Sequence, residues 1–429
     1  MDTPNLNSGQ HMSERFARAN VVIERCRRLA LVSDIQGETT RTFLSPAMRM
    51  CMHAVQSWME AAGMSVTTDA AGNLRGLYPG RTSDAPRLLI GSHLDTVPNA
   101  GAFDGVLGVM LGLALIESLN QERLSFAIEL IGFSEEEGVR FKLPFIGSRA
   151  LVGRFDPSLL SSEDSTGISL KLAIEAFGLD PDKLGNAILH ANSVAYLEFH
   201  IEQGIVLESR DLSLGVVDGV AGQTRGEMRF LGHANHAGTT PMSLRRDAMS
   251  AAAQWICELE QRASSKKDLM ATVGRIQAFP GAGNVIAGEV LASLDIRHPD
   301  DGIRREFVNE TIASADSIAM RRGLKSNWKM QLEQPAVRMD ARLTELTSCA
   351  IAKSGIAPLR MISGAGHDAM IVAERLPAAM IFVRSPGGIS HHPDETVREE
   401  DIENALTAGL VFLKELQGHP PISTAENRT

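Results

Sequence analysis

Cysteine is scarce in this chain, with only Cys26, Cys51, Cys257 and Cys349 among 429 residues, far apart and never in Cys-x-x-Cys spacing. That argues against a disulfide framework and a thiolate metal cluster, and it places the protein, by expectation, in the reducing cytoplasm. Aromatic residues make up 5%, and the basic residues are dispersed in a chain of net charge −10. A nucleic-acid or anionic-membrane surface needs basic runs, so neither partner is expected. The longest apolar stretch, Val106 to Leu119, is broken by glycines and falls short of the roughly 20 residues that span a bilayer. The first dozen residues fit neither a secretory signal nor an Arg-rich transit peptide. No GxSxG elbow occurs, and no cysteine has the local signature of a thiol hydrolase, which discounts nucleophilic catalysis. No glycine-rich phosphate loop precedes a helix. A small-molecule substrate and some other chemistry are left.

Such a length exceeds what one hydrophobic core usually serves, so two domains are expected. Ser13–Leu31 and Pro46–Ala62 carry apolar residues at helical spacing. Arg87–Gly91 and Phe126–Phe133 are continuous apolar runs, the pattern of strands buried on both faces of a parallel sheet, with Val106–Leu119 as the crossover helix between them. Past Gly215 the character changes to strands at Val216–Ala221, Gly226–Leu231, Ala271–Ala278 and Glu289–Arg297, with helices at Ser243–Ser264 and Asp301–Arg322. Helix then returns at Asp340–Ser354, short strands at Leu359–Ile362 and Ala379–Val383, and a last helix at Glu399–Leu416. The expected fold is α/β: a mostly parallel-sheet catalytic domain in two segments, 13–215 and 335–418, with a smaller α+β domain, 216–334, inserted between them. Flexible tails are expected at 1–12 and 419–429.

Five residues in short glycine-punctuated contexts carry the chemistry: His93 in GSHLDT, Asp104 in AGAFDG, Glu137 in FSEEEG, His200 in LEFHIEQG and His391 in GGISHHPDE. Imidazole mixed with carboxylate suits zinc, cobalt, nickel or manganese. His93 and Asp104 fall near a strand end and its following loop, and Glu137 just beyond the next strand, where open α/β sheets hold ligands. In Glu135-Glu136-Glu137, neighbouring carboxylates of an extended exit point different ways, so one can hold metal while its neighbour acts on water. Asp95, two residues after His93, can orient that imidazole. Each residue also has a plain reading. The glutamates could open a helix, His93 and His200 could be satisfied core histidines, Asp104-Gly105 could be a turn, and His391-His392 a surface pair.

Together, EEEGVRF (135–141), FHIEQG (199–204), HAGTTPM (236–242), GAGHDA (364–369) and GISHHPDE (388–395) resemble the binuclear metal amidohydrolases. That family includes N-carbamoyl-L-amino-acid hydrolases, β-ureidopropionases and allantoate amidohydrolases, related to aminoacylases and carboxypeptidase-type metallopeptidases. The likeness runs from about Arg28 to Leu416. It implies two divalent ions per subunit, bridged by Asp104, with His93 and His200 on one and Glu137 and His391 on the other. It also implies Glu136 as general base, His236 as the oxyanion-stabilising histidine offered to a partner subunit in a homodimer, and Asn284 and Arg297 as ligands of the substrate carboxylate. Gln203, Gly366 and His367 would line the substrate pocket, with Gln223 a further candidate. The implied substrate is a small molecule with a carboxylate and a ureido or amide group, and the reaction releases ammonia. An aminoacylase or peptidase, and a non-catalytic binding protein on the same scaffold, are the alternatives. Two departures from the family pattern lie near the pocket: PNAGAF (98–103) in place of paired glycines, and Ile205 where proline commonly follows IEQG.

Overall fold

The computed structural model describes residues 7–418. The expected tail at 419–429 lies outside them, and so do the first six residues of the other; 7–12 instead begin a helix, Asn7–Ala30. The chain divides into two compact units. One runs up to Asp218 and resumes at Arg338, and the other is Gly219–Val337. Leu214 to Val217 belong to the first because they pair with Val383 to Met380.

The first unit is built on a mixed, mostly parallel nine-stranded sheet. Its centre runs Ala127–Phe133, Arg87–His93, Ser193–Ile201, Ala378–Val383, and these neighbours are parallel. Antiparallel strands flank them, Leu74–Tyr78 and Ser65–Thr68 on one side and Leu214–Val220 on the other. Six of the seven residues of RLLIGSH and every residue of AIELIGF, SVAYLEFHI and AAMIFV are buried. Strands covered on both faces have no polar side to show, which is why they read as apolar runs and not as alternations. The helix Val106–Ser118 is buried continuously from Val106 to Ile116, and it packs on the sheet beneath Asn7–Ala30 and Glu399–Gly418. The parallel strands end together at His93, Phe133, Ile201 and Val383, so the loops that follow converge on one edge.

The second unit has a five-stranded antiparallel sheet in the order Lys325–Gln334, Gly222–Leu231, Glu289–His298, Met270–Thr272, with Ile276–Phe279 also on Glu289–His298. Two helices, Ala248–Ser264 and Asp301–Arg321, pack on it around Phe230, Trp255, Ile296 and Phe307. Glu289–His298 alternates strictly between buried and half-buried residues, as a strand with one face on the core must. Several elements, in both units, differ from expectation. The strand expected over Ala271–Ala278 is interrupted, the helix expected from Ser243 starts at Ala248 behind the cap Asp247, and Leu170–Ala176 is an unexpected helix. Lys325–Gln334 is a strand that the sequence did not suggest. It is an edge strand and mostly exposed, and its alternation of Trp328, Met330 and Leu332 with polar neighbours is short and lies within an otherwise polar stretch.

Arg304 ties this unit together. Its fully buried guanidinium donates to both oxygens of Glu333 at 2.9 Å, to Asp301 at 2.9 Å and to the hydroxyl of Thr224. Removing one partner of such a cluster strands the others without a counter-charge, so Arg304→Met should cost about 3 kcal/mol, read as a lower denaturation midpoint. The hydrogen bond from Arg304 holds Glu333 down at about 2. A depressed carboxylate stabilises the fold above its ordinary value of 4.5, and the contribution is lost as pH falls through about 2. The difference between wild type and Arg304→Met should therefore shrink in acid. A wild-type-like midpoint at neutral pH would refute it.

Candidate metal centre and catalytic residues

Asp104 is the hinge of the site. It is 3% exposed, and its two carboxylate oxygens face two different sets of side chains. Oδ1 lies 3.3 Å from Nε2 of His200 and 3.9 Å from Nε2 of His93. Oδ2 lies 3.1 Å from Nε2 of His391, which is itself 3.6 Å from Oε1 of Glu137. Donor atoms of His93, Asp104 and His200 fall within 4.8 Å of one another, and so do those of Asp104, Glu137 and His391. The five residues singled out in the sequence thus form two triads that share Asp104.

The approach of these loops depends on Gly105, whose φ is +66° and whose Cβ, if present, would sit 2.4 Å from the His93 ring. Asp-Gly here is a packing necessity and more than a turn.

The imidazoles are oriented from behind. Nδ1 of His93 faces the backbone carbonyl of Asp95 at 3.0 Å, and Nδ1 of His200 faces that of Ile201 at 2.9 Å. A carbonyl can only accept, so each Nδ1 carries a proton and each Nε2 is the nitrogen turned to the cluster. Asp95 does more than its expected orienting of His93. Its oxygens accept the backbone N–H groups of Glu136 and Glu137, both at 3.0 Å. One buried carboxylate therefore fixes the loop that presents the two glutamates. That loop is no helix start; the next helix begins at Ile146. Glu135 is fully buried, Glu136 is 8% exposed, and donor atoms of Glu136, Glu137 and His93 also lie within 4.8 Å of each other.

Electrostatics at the site favour positive charge. Burial, reinforced by Glu137, Asp368 and Asp95 against the pull of His93, drives Glu136 well above the ordinary carboxylate range. Burial and the nearby Asp104 push Glu137 up to about 7. His93 is held well above its usual value because Asp95, Glu136 and Asp104 outweigh its burial. His391, hydrogen-bonded to Asp104, rises to about 9, whereas burial takes His200 down to about 4. Carboxylates that share a dry space repel one another until a cation joins them, and two imidazole and carboxylate triads are a donor set that borderline divalent ions accept. The residues fit a pair of metal ions.

His392 turns away to Asp394, 58% exposed, so of the tandem it is His391 that joins the cluster. His391 does so at φ +56°, and Gln203 also has φ +56°, conformations that non-glycine residues seldom hold. Nε2 of Gln203 donates to Asp104 at 3.0 Å and to Ser390 at 3.2 Å, so this residue, expected in the substrate pocket, reaches the ligands. His367 is 1% exposed and its ring centroid lies 4.4 Å from that of His200; Gly366 precedes it on the half-buried loop. Glu198, which the sequence did not single out, accepts from Ser92 (3.3 Å), Tyr196 (3.0 Å) and the N–H of Ala369 (2.8 Å) beneath His200. Within a strand it reads as one buried glutamate, and only the fold reveals its three partners.

In the second unit, the HAGTTPM segment bridges GAGNVIAG. The N–H of Ala237 donates to the carbonyl of Asn284 at 2.9 Å, which sets His236 and Asn284 side by side on exposed backbone. Nδ1 of His236 accepts from the N–H of Gly238 at 3.1 Å, leaving an outward Nε2–H donor. Arg297 pairs across the sheet with Gln223. Both lean on Asp295, which accepts from Arg297 at 2.9 and 3.0 Å and from Gln223 at 2.8 Å.

Residues 89–415 match the peptidase family M20/M25/M40. The chain belongs to that family. Among M20 relatives it is 40% identical over 368 residues to an N-carbamoyl-L-amino acid amidohydrolase of Geobacillus stearothermophilus, covering 85% of this chain and 90% of the relative. It is 33% identical to the allantoate amidohydrolase of Bacillus subtilis, over 87% and 91% of the two chains. A solved structure, an amidase of the hydantoinase/carbamoylase family from Burkholderia multivorans, superposes with TM-score 0.87 at 31% identity, over 92% of this chain and 97% of that one. The mostly parallel sheet with a separate antiparallel sheet is the architecture this M20 protein shares with such neighbours. All four of its cysteines are free, and no helix among the described residues is long and apolar enough to cross a membrane.

Proposed function

We propose that the protein is a metal-dependent amidohydrolase that cleaves the carbamoyl or ureido group of an N-carbamoyl-L-amino acid or of allantoate, with release of ammonia. The observation that carries this reading is the pair of triads on opposite oxygens of Asp104 with the unshared glutamate, Glu136, beside them. Relatives bearing both names, 33–40% identical over most of the chain, support the substrate class.

His93, Asp104 and His200 would hold one ion, and Asp104, Glu137 and His391 the other. When bound, the pair supplies Lewis acidity toward the scissile carbonyl and brings the pKa of a water toward about 7. Glu136 takes the proton of the attacking water and passes it to the departing nitrogen, so no covalent intermediate with the protein forms. Asp95 keeps Glu136 in place through its backbone. Arg297 and Asn284 are assigned to the substrate carboxylate, for which a guanidinium is suited in shape and charge, and the Nε2–H of His236 to the developing oxyanion. Gln203, Gln223, Gly366 and His367 complete the assignment of substrate contacts. Zinc, manganese, cobalt or nickel are the ions proposed, and the cytoplasm is the compartment. A homodimer is the proposed assembly, supported by the open edge strand Lys325–Gln334 with Met330 57% and Leu332 36% exposed.

Protein stripped with chelator and reloaded with each ion should release ammonia from N-carbamoyl-L-amino acids, N-carbamoyl-β-alanine or allantoate only when metallated. An acyl acid plus an amino acid from acylated amino acids or peptides, with no ammonia from that panel, would replace this reading with an aminoacylase or peptidase. Metal bound without turnover on any substrate would leave a binding protein.

A further inference from the structure

The loops bearing Asp104 and His391 come from sequence nearly three hundred residues apart, and one side chain fastens them to each other. Glu395 is 5% exposed. Its Oε1 accepts the backbone N–H groups of Phe103 at 2.8 Å and Asp104 at 3.0 Å. Its Oε2 accepts the hydroxyl of Ser390 at 3.2 Å, and its own N–H donates to the carbonyl of His392 at 3.0 Å. The first two bonds set where the shared carboxylate stands, and the other two brace the turn that carries His391 at positive φ.

Gly101 is shaped for this contact. A Cβ there would lie 2.3 Å from Cβ of Glu395, so any side chain at 101 would push the glutamate out. In PNAGAF, the glycine retained is the one that the tie requires.

We infer that Glu395 is a positioning residue of the metal centre, which holds Asp104 and His391 at the spacing needed for the ion they share with Glu137. The inference rests on the metal-dependent reading above and extends it to a residue that touches neither ion nor substrate. The His391 side depends on it more than the other side. His93 and His200 are carried by central strands of the sheet, whereas Asp104 and His391 both sit on loops that meet at Glu395. Partners of this kind behind metal ligands are worth about 10–100-fold in affinity.

The test is a titration of metal-free full-length protein with Co(II), followed by visible absorption and by metal content after dialysis. Wild type should take up two ions. Glu395→Ala should keep the first and bind the second at least about 10-fold more weakly, matching His391→Ala in stoichiometry. Glu395→Gln should bind both within about threefold of wild type, because its amide oxygen can accept the same two N–H groups and its NH₂ can donate to Ser390. Two ions bound with wild-type affinity by folded Glu395→Ala would overturn the proposal. So would a Glu395→Gln protein as weak as Glu395→Ala, since charge and not the hydrogen-bonded tie would then be responsible. If Glu395→Ala does not fold, Ser390→Ala, which removes the hydroxyl arm from Glu395 to the His391 turn together with the contact from Gln203, should weaken the second ion more than Gln203→Ala does, and an unchanged affinity overturns the proposal. A wild-type chain that binds no ion would instead remove the metal-dependent reading itself, and this inference with it.

Discussion

Glu136→Gln, carrying its full complement of two ions, should turn over about 10³-fold more slowly than wild type, within the 10²–10⁴ that a positioned general base contributes. Glutamine keeps the size of the side chain but cannot take a proton. The five proposed ligands are untouched, and so are the backbone bonds from Glu136 and Glu137 to Asp95 that set the loop. Glu136 is nearly enclosed, and its burial, with Glu137, Asp368 and Asp95 nearby, raises its affinity for a proton. The two cations proposed beside it would oppose that rise, leaving Glu136 ionised to take the proton of water and then deliver it to the leaving nitrogen. Metal content and kcat must be measured on the same preparation. Turnover within threefold of wild type at full metal loading would remove Glu136 from the mechanism, and loss of metal would recast it as a ligand.

Asp104→Asn should lose both ions and turnover together. Asp104 alone lies in both the His93/His200 triad and the Glu137/His391 triad, and the amide that replaces it has one weak acceptor and no charge. The three histidines around it hold its carboxylate below the usual range against the effect of burial, the direction expected where an anion faces cations. Metal content after dialysis should fall from two ions per chain to nearly none, and activity by at least about 10³-fold, because Lewis acidity and water activation both depend on the ions. Glu137→Ala is the informative contrast, since it should keep the ion on His93 and His200. Two tightly bound ions in Asp104→Asn would mean that the bridging assignment is wrong.

Much of this site was visible in the linear chain, and for identifiable reasons. His93 stands at the end of a strand whose apolar run is unmistakable, so its address at the sheet's carboxyl edge could be read, whereas the strand that carries His200, Ser193–Ile201, is interrupted by Glu198 and was not among those expected. Asp104 and Glu137 each precede a glycine at positive φ, and His391 follows the Gly387-Gly388 pair by three residues. Asp95 was legible from its spacing to His93, although its larger task, gripping the backbone of Glu136 and Glu137, was not. Glu395 was printed within GISHHPDE but showed no role, because its partners at Phe103 and Asp104 are 292 and 291 residues away. Glu198 and Arg304 were hidden in the same way. A buried charged side chain is defined by what surrounds it, and its surroundings come from other segments. The strand Lys325–Gln334 does carry a period of two in Trp328, Met330 and Leu332, but three apolar residues in a polar, mostly exposed stretch are a weak signal.

The sequence by itself determined the class of chemistry and the kind of scaffold. Residue type dictates which atoms can bind a cation or move a proton, and unbroken apolar runs leave a chain little choice but to bury strands on both faces. Only the tertiary structure decided which residues work together. It turned the two oxygens of Asp104 to opposite triads, laid the carboxylate of Asp95 under the backbone of Glu136 and Glu137, and set Glu395 against Gly101. Such choices depend on separations of a few ångströms between loops distant in sequence, and those separations come from packing the whole sheet and its helices, which no local pattern encodes.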